Sequence, residues 1–161
     1  YVNKISDTNA ILLDTRKTIP GLRELAKYAT RVGGAQNHRF RLDDGVLIKD
    51  NHIAACGSIS DAIKRTKKAG LRDVEVECDN LTQVEEALAA GADRILLDNM
   101  SAEECLAAVN LIDGRVPTEA SGDINIQTIR TIAETGVTYI SVGKLTHSAR
   151  AINIGLDWDL H

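Results

Sequence analysis

Short apolar runs alternate with amphipathic stretches at nearly even spacing along this chain, and that alternation restricts the fold more than any other feature. Six runs predict β-strands: Ala10–Leu13, Val46–Ile48, Val74–Val76, Arg94–Leu97, Pro117–Ala120 and Tyr139–Val142. The residues at their carboxyl ends, Asp14, Lys49, Glu77, Asp98, Ser121 and Gly143, lie 35, 28, 21, 23 and 22 positions apart. A β/α unit of this length is the repeat of a parallel α/β barrel.

Helix signals between the runs favour the same fold. The predicted helices are Ser60–Ala69, Thr82–Ala90, Ala102–Ile112 and Asn125–Thr135. Asn80 is placed to cap the second helix, Ser101 and Glu104 form a capping-box pattern for the third, and Gly136 ends the fourth. Strands that alternate with helices in this way predict a parallel sheet with right-handed crossovers.

The chain is too short for a complete barrel. A barrel of eight units takes about 250 residues, whereas this chain has 161. Six units, with a candidate last strand at Ile152–Leu156, predict one domain that forms a TIM-like parallel α/β barrel, open or incomplete. The chain begins with Tyr1 instead of Met, and we expect a processed chain or a fragment.

Composition excludes several classes of protein. Hydrophobic residues make up 43% and charged residues 26%, which is typical of a globular domain. No apolar run approaches the length of a membrane span, and a net charge of -4 argues weakly against a general nucleic-acid binder. The cysteines, Cys56, Cys78 and Cys105, lack metal-site spacing and predict reduced thiols in a cytoplasmic protein.

Cationic side chains are concentrated in one part of this acidic chain. Residues 14–53 hold eight Lys or Arg and five Asp or Glu. The candidate binding set is Arg16, Lys17, His38, Arg39 and Lys49, and Arg16, Lys17 and Lys49 directly follow predicted strands. Converging cations indicate a substrate with more than one negative group, since Arg suits carboxylates and Lys suits phosphates. Three other cations, Arg23, Lys27 and Arg31, are interpreted as a solvated helix face.

Two carboxylates end neighbouring predicted strands. Glu77 follows Val74–Val76, and Asp98 follows the apolar run Ile95-Leu96-Leu97. Such a pair can hold Mg²⁺ that bridges phosphates, or it can stabilise a cationic, sugar-like transition state. Asp98 can alternatively serve as a helix N-cap.

Glycines mark the ends of the last two predicted strands. Ser121-Gly122 and Val142-Gly143 each lead into a helical stretch. Barrels often bind phosphate at these loops, because glycine exposes backbone N–H groups and helix N-termini attract anions. Each glycine can equally be an ordinary turn residue.

Several of these segments, in this order, resemble a known family. The matching stretches are Asp14-Thr15-Arg16-Lys17-Thr18-Ile19-Pro20-Gly21-Leu22-Arg23, Asn37-His38-Arg39, Leu47-Ile48-Lys49-Asp50-Asn51-His52-Ile53, Val74-Glu75-Val76-Glu77, Ile95-Leu96-Leu97-Asp98-Asn99-Met100, Glu119-Ala120-Ser121-Gly122, Thr135-Gly136-Val137 and Ile140-Ser141-Val142-Gly143. They resemble quinolinate phosphoribosyltransferases, enzymes of NAD biosynthesis that transfer phosphoribosyl from PRPP to quinolinate and release CO₂. The resemblance implies that Mg²⁺ is required.

The resemblance implies a role for each candidate residue. The quinolinate carboxylates should bind Arg16 and Arg39, beside Thr15, Lys17 and His38, while Lys49 should lie between the two substrates. Glu77 and Asp98 should contact the ribose hydroxyls and Mg²⁺. The 5′-phosphate should be bound by Ser121, Gly122, Asp123, Val142 and Gly143. The residues expected to act in catalysis are Lys17, Lys49, Glu77 and Asp98.

The chain also departs from the family pattern. Ala35, Asp123 and Asn153 stand where Gly, Gly and Asp are common. The family has an N-terminal α/β domain with a further substrate-binding Arg, and a neighbouring subunit completes each site. We therefore interpret residues 1–161 as the C-terminal α/β-barrel catalytic domain of a type II phosphoribosyltransferase, truncated at its N-terminus and forming a homodimer or higher oligomer when intact.

Three alternatives stay open from the sequence. The chain can be a related pyridine phosphoribosyltransferase, such as a nicotinate-using relative or a paralogue encoded near molybdate transport genes. It can be a non-catalytic domain that binds phosphorylated ligands or only dimerises. Lys49 can also form an imine, as strand-end lysines of some barrels do. The His38-Arg39 pair favours a second carboxylate, hence quinolinate.

Overall fold

Six parallel strands form one curved, open sheet in the computed structural model, which describes residues 1–158. The strands are β1 (Ile11–Leu13), β2 (Val46–Ile48), β3 (Val74–Cys78), β4 (Arg94–Asp98), β5 (Thr118–Ser121) and β6 (Tyr139–Ser141). Their order across the sheet is β1-β6-β5-β4-β3-β2, and every neighbouring pair is parallel. The predicted open α/β barrel is therefore confirmed, with all six predicted strands present.

Within residues 1–158, seven α-helices connect and follow the strands. They are α1 (Arg23–Val32), α2 (Asp50–Cys56), α3 (Ile59–Lys68), α4 (Leu81–Ala90), α5 (Ala102–Ile112), α6 (Ile129–Ala133) and α7 (Lys144–His147), and a short 3₁₀ helix spans Val2–Lys4. None of the helices among the described residues combines the length and the apolar character needed to cross a membrane.

The predicted caps of two helices are present. The Asn80 side chain accepts a hydrogen bond from the Gln83 N–H at the start of α4. Ser101 and Glu104 form the reciprocal capping box of α5, at 3.2 and 2.8 Å. These bonds satisfy N–H groups that the first helical turn leaves unpaired, which stabilises the start of each helix.

Three features differ from the prediction. The helix α2 was missed, because Asp50–Cys56 directly follows β2 without an intervening turn signal. The helix α6 is shorter than the predicted Asn125–Thr135, since Asn125 accepts hydrogen bonds from the N–H groups of residues 127 and 128 and forms a turn first. The predicted strand Ile152–Leu156 is wrong: this segment lies outside the sheet, with Ile152, Ile154 and Leu156 between 82% and 90% exposed.

The sheet does not close between β1 and β2 in the part of the chain that the structure describes. The segment that follows α1 runs along this gap. Gln36 forms a parallel bridge with Leu13, donating from its N–H to the Leu12 carbonyl and accepting from the Asp14 N–H. This contact fixes the start of the 36–45 segment against the edge of β1, which places His38 and Arg39 beside the barrel interior.

The apolar core lies between the sheet and the helices, whereas the barrel interior is polar. Along β3, Val74, Val76 and Cys78 are fully buried within the core. The alternate residues, Glu75 and Glu77, line cavities on the inner face, because successive side chains of a strand point to opposite sides. The outer face thus stabilises the fold, and the inner face is free to carry charge.

The position of this core gives a stability prediction on one helix. Ile112 of α5 is 1% exposed and belongs to the core, while Leu106 of the same helix is 48% exposed. We expect Ile112→Ala to lower the free energy of unfolding by about 2–5 kcal/mol, because it leaves a cavity. Leu106→Ala should change it by less than about 1 kcal/mol.

Urea unfolding of the two variants followed by circular dichroism provides the measurement. Equal midpoints for Ile112→Ala and Leu106→Ala would contradict the placement of the core on the outer face of the sheet.

Candidate active site

Most of the predicted site residues surround one cavity at the carboxyl ends of the strands, with a volume of about 300 Å³. The predicted residues that line it are Thr15, Arg16, Lys17, His38, Arg39, Lys49, Glu77, Asp98 and Ser121. Parallel strands bring these positions together, although they are spread over more than 100 positions of the sequence.

An ion pair joins the ends of two neighbouring strands inside this cavity. Lys49 follows β2 and contacts Glu77 of β3 through its ammonium group. The Glu77 side chain is 10% exposed, and that of Lys49 is 43% exposed. The pair therefore places one positive and one negative group side by side, with Lys49 the more accessible of the two.

Two arginines approach the same cavity from different segments. Arg39 donates from Nη1 to the Gly45 carbonyl at 2.8 Å, which fixes its side chain. Burial and then the positive charge of Arg16 lower the pKa of Arg39 below its usual value. The Arg16 Nε is itself buried without a hydrogen-bond partner among residues 1–158. A site with two close guanidinium groups and an unused donor is suited to an anion with two carboxylates.

His38 lies deeper in the barrel, next to two glutamates that the sequence analysis did not assign. Its Nε2 is 3.4 Å from Glu75 Oε2 and 3.3 Å from Glu119 Oε1. Arg94 Nη1 lies 4.0 and 3.8 Å from the other oxygens of the same carboxylates, and its guanidinium stacks over the Tyr139 ring. The signal that could have found Glu75 is period-two alternation, which places it on the same face as Glu77.

The charges of this cluster control the protonation of His38. Burial would lower the pKa of His38, but the pairing with Glu119 and Glu75 outweighs it and raises the pKa to about 9. The Arg39 N–H points to Nδ1 at 2.7 Å, and a protonated Nδ1 cannot accept it. Because both carboxylates are nearly inaccessible to water, their attraction for a protonated His38 ring outweighs the loss of the hydrogen bond from the Arg39 N–H. Burial raises the pKa of Glu75, and His38 opposes this rise.

His38, Glu75 and Glu119 can each offer one metal-ligand atom, all within 4.8 Å of one another. Arg94 and protonated His38 already neutralise the two carboxylates, so the charge balance favours an ion-pair cluster over a cation site. Glu77 and Asp98 differ, because they lie near the carboxyl ends of adjacent strands and line the cavity, into which their carboxylates can offer hard oxygen ligands.

The residues predicted to bind the 5′-phosphate do not all reach this cavity. Ser121 lines it, whereas Gly122 and Asp123 line a separate cavity of about 320 Å³ beside α5 and α6. Val142 is 1% exposed within the core, and Gly143 is the N-cap of α7. Their assignment to the phosphate stays a prediction.

Gly122 also has a structural requirement. Its φ is +94°, and a Cβ there would overlap the Asn99 side chain and lie 2.7 Å from the Asn99 backbone nitrogen. Only glycine fits this close approach of the β4 and β5 loops.

One sequence interpretation is wrong: Lys27 is not part of a solvated helix face. Lys27 is 1% exposed and donates to Asp14 Oδ1 at 2.5 Å. Asp14, the residue that follows β1, is likewise buried, at 0% exposed. The helical pattern of α1 did not reveal this, because a buried lysine and an exposed one look alike in a polar sequence unless the partner is known. Arg31 lies over the ring of exposed Tyr28, as a surface residue would.

The His38 cluster gives a pH prediction. Because the pKa of folded His38 is about 9 and that of an unfolded histidine is about 6.5, its protonated form stabilises the fold fully below pH 6.5. That stabilisation is lost as the pH rises through 9. The Glu119→Gln substitution removes one carboxylate and should lower the pKa of His38 towards the ordinary value.

The measurement is an NMR titration of the His38 ring in the wild type, in Glu119→Gln and in the surface control Asp61→Asn. Only Glu119→Gln should move the midpoint, and a wild-type midpoint near 6.5 would show that the carboxylates do not hold a proton on this ring.

Comparison with known proteins agrees with this geometry. Residues 1–157 match the family described as quinolinate phosphoribosyl transferase, C-terminal domain. The chain is 47% identical over 158 residues to a probable nicotinate-nucleotide pyrophosphorylase (carboxylating) of Bacillus subtilis, covering 97% of this chain and 55% of that protein. The corresponding Mycobacterium leprae protein is 47% identical over 161 residues and is covered to 57%.

A solved structure gives the same result in three dimensions. The crystal structure of nicotinate-nucleotide pyrophosphorylase from Ehrlichia chaffeensis superposes with a TM-score of 0.93 at 50% identity, covering 97% of this chain and 57% of that one. The chain thus spans little more than half the length of these relatives. The match over residues 1–157, the identity and the barrel together show that this chain belongs to the quinolinate phosphoribosyl transferase family and corresponds to its C-terminal domain.

Proposed function

We propose that this chain carries the active site of an enzyme that transfers phosphoribosyl from PRPP to quinolinate. The products are nicotinate mononucleotide, pyrophosphate and CO₂. The observation that carries the proposal is the convergence of Arg16 and Arg39 beside the Lys49–Glu77 pair in one cavity. Membership of the family supports it independently.

The two arginines account for the choice of a dicarboxylate. Each quinolinate carboxylate pairs with one guanidinium, and Thr15, Lys17 and His38 border the same space. Burial and then the positive charge of Arg16 lower the pKa of Arg39, and a bound carboxylate relieves that repulsion. An anion with one carboxylate can satisfy only one of these groups, so the site should prefer quinolinate to nicotinate.

Glu77, Asp98 and Lys49 assist the cleavage of the bond between the ribose C1 and pyrophosphate. Positive charge develops on the ribose C1 as its bond to pyrophosphate loosens, and Glu77 and Asp98 at the ends of β3 and β4 stabilise that charge. Lys49 and Lys17 attract the departing pyrophosphate. The pyridine nitrogen, held close by the arginines, forms the new bond to C1.

Decarboxylation follows from the new bond. The pyridinium nitrogen withdraws electrons from C2, whose carboxylate leaves as CO₂. The electron pair of the broken bond stays on C2, which then takes a proton. The protein contributes position and charge to this step.

Mg²⁺ is proposed as the cofactor, held by Glu77 and Asp98. These carboxylates fit it as hard oxygen ligands at the cavity mouth, although Glu77 then shares its charge between the ion and Lys49. When bound, Mg²⁺ neutralises the pyrophosphate leaving group.

The proposal extends to the longer protein of which this chain would be part, to its oligomeric state and to its compartment. Relatives are nearly twice the length of this chain. We propose that the chain is the C-terminal barrel of a longer type II phosphoribosyltransferase, that a second copy completes each site in a homodimer, and that the reaction takes place in the cytoplasm.

One reaction tests the function by following both the formation of the bond between the pyridine nitrogen and C1 and the release of the C2 carboxylate. The protein that carries this chain is incubated with Mg²⁺-PRPP and quinolinate labelled in its C2 carboxylate. Labelled CO₂ and nicotinate mononucleotide should appear in equal amounts. Nicotinate mononucleotide formed from nicotinate but not from quinolinate would instead identify the related nicotinate-using enzyme.

Two substitutions should affect different kinetic parameters of that reaction. We expect Arg39→Ala to raise KM for quinolinate about 10- to 100-fold, because it removes a charge-assisted contact to the bound carboxylate. Glu77→Gln should mainly lower kcat, on the order of 100-fold, because its charge acts on the transition state.

Arg41→Ala is the matched control for Arg39→Ala. Arg41 lies two residues away, is 71% exposed and pairs with Asp43, so its loss should leave both constants unchanged. Equal small effects from Arg39→Ala and Glu77→Gln would contradict the assignment of the cavity.

A further inference from the structure

Asp14, at the end of β1, is the centre of a buried hydrogen-bond network. Its Oδ1 accepts from Lys27 Nζ at 2.5 Å and from the His38 N–H at 2.9 Å. Its Oδ2 accepts from Thr30 Oγ1 at 2.9 Å and from Asn37 Nδ2 at 2.6 Å. One carboxylate thus connects β1, α1 and the segment that crosses the gap in the sheet.

Lys27 completes a clamp on the backbone of His38. Its Nζ donates to the His38 carbonyl at 2.8 Å as well as to Asp14. The N–H of His38 is held by Asp14, and its C=O is held by Lys27. The backbone that leads to Arg39 is therefore fixed on both sides by one ion pair, whose members are 0% and 1% exposed.

The same ion pair fixes the start of the other arginine segment. Arg16 lies two residues after Asp14, and Arg39 lies one residue after His38. Their charges repel each other, which contributes to the lowered pKa of Arg39. Without substrate, a rigid support is needed to hold the two segments together against that repulsion.

Stability alone is a weak reason for a buried ion pair. Taking two charges out of water costs several kcal/mol per ion, and apolar residues of similar volume often give equal or greater stability. Every bond that Asp14 and Lys27 make here goes to the two segments that carry the arginines or to α1 behind them, which is the pattern expected of a positioning device.

We propose that Asp14 and Lys27 are positioning residues that set the separation of Arg16 and Arg39 and thereby the preference for two carboxylates over one. This inference rests on the proposed function, because it concerns how the cavity distinguishes dicarboxylate from monocarboxylate pyridines. Asp14 and Lys27 act through the arginines and do not touch the substrate.

The experiment measures dissociation constants for quinolinate and nicotinate by calorimetry on the wild type and on Asp14→Asn/Lys27→Met. Removing both charges together avoids a lone buried ion. The double variant should weaken quinolinate binding roughly tenfold with little change for nicotinate, because a displaced arginine loses its carboxylate. The matched control is Asp61→Asn/Lys64→Met, an exposed pair on α3 that should leave both constants unchanged.

A second variant keeps the test decisive if the double variant does not fold. Thr30→Val removes one donor from Asp14 and should reduce the preference for quinolinate by a smaller factor. In an Arg39→Ala background the effect of either variant should disappear, which a purely structural role would not produce.

The outcomes separate the two proposals. A wild type that prefers quinolinate, together with folded variants that keep the full preference, overturns the positioning role and leaves the proposed function intact. A wild type without any preference for quinolinate overturns both.

Discussion

All six strands run in the same direction, and everything that this chain offers to a ligand follows from that constraint. Parallel pairing brings every carboxyl end to the same mouth, so residues from the β1, β2, β3, β4 and β5 ends meet in one cavity. The register of β3 against β4 places Glu77 opposite Leu96, two positions before Asp98, so the two carboxylates lie on the same face of the sheet. An antiparallel arrangement would divide these charges between the two ends of the sheet.

Most of the charged side chains in the barrel interior lie next to a side chain of opposite charge. The Glu75 and Glu119 carboxylates face His38 and Arg94, Glu77 faces Lys49, and Asp14 faces Lys27. Each pair joins elements that the chain connects only at long range, so the charges specify which segments meet. Arg16 and Arg39 are the exception, since two like charges converge there. That imbalance in an otherwise compensated interior is the physical reason to expect a dianionic ligand at this point.

Much of this organisation could be predicted from the sequence, because it depends on local patterns. Short apolar runs located all six strands, and caps such as Asn80 and Ser101 located helix starts. The strand-end rule then placed Lys49, Glu77 and Asp98 in one site.

The prediction failed where an outcome depends on a distant partner. Lys27 looks like a surface residue until Asp14 is seen beside it, and Ile152–Leu156 alternates like a strand but lies outside the sheet. The assignment of Gly122 to the phosphate stays a prediction, and the close approach of Asn99 by itself already requires glycine there.

The central claim is that one cavity holds both carboxylates of quinolinate between Arg16 and Arg39, and a crystal structure of the protein with quinolinate tests it most directly. The account predicts density for the ligand in the 300 Å³ cavity, with one carboxylate on each guanidinium and the ring nitrogen directed towards Lys49 and Glu77. Quinolinate bound by only one arginine, or seated in the cavity beside Gly122 and Asp123, would contradict it.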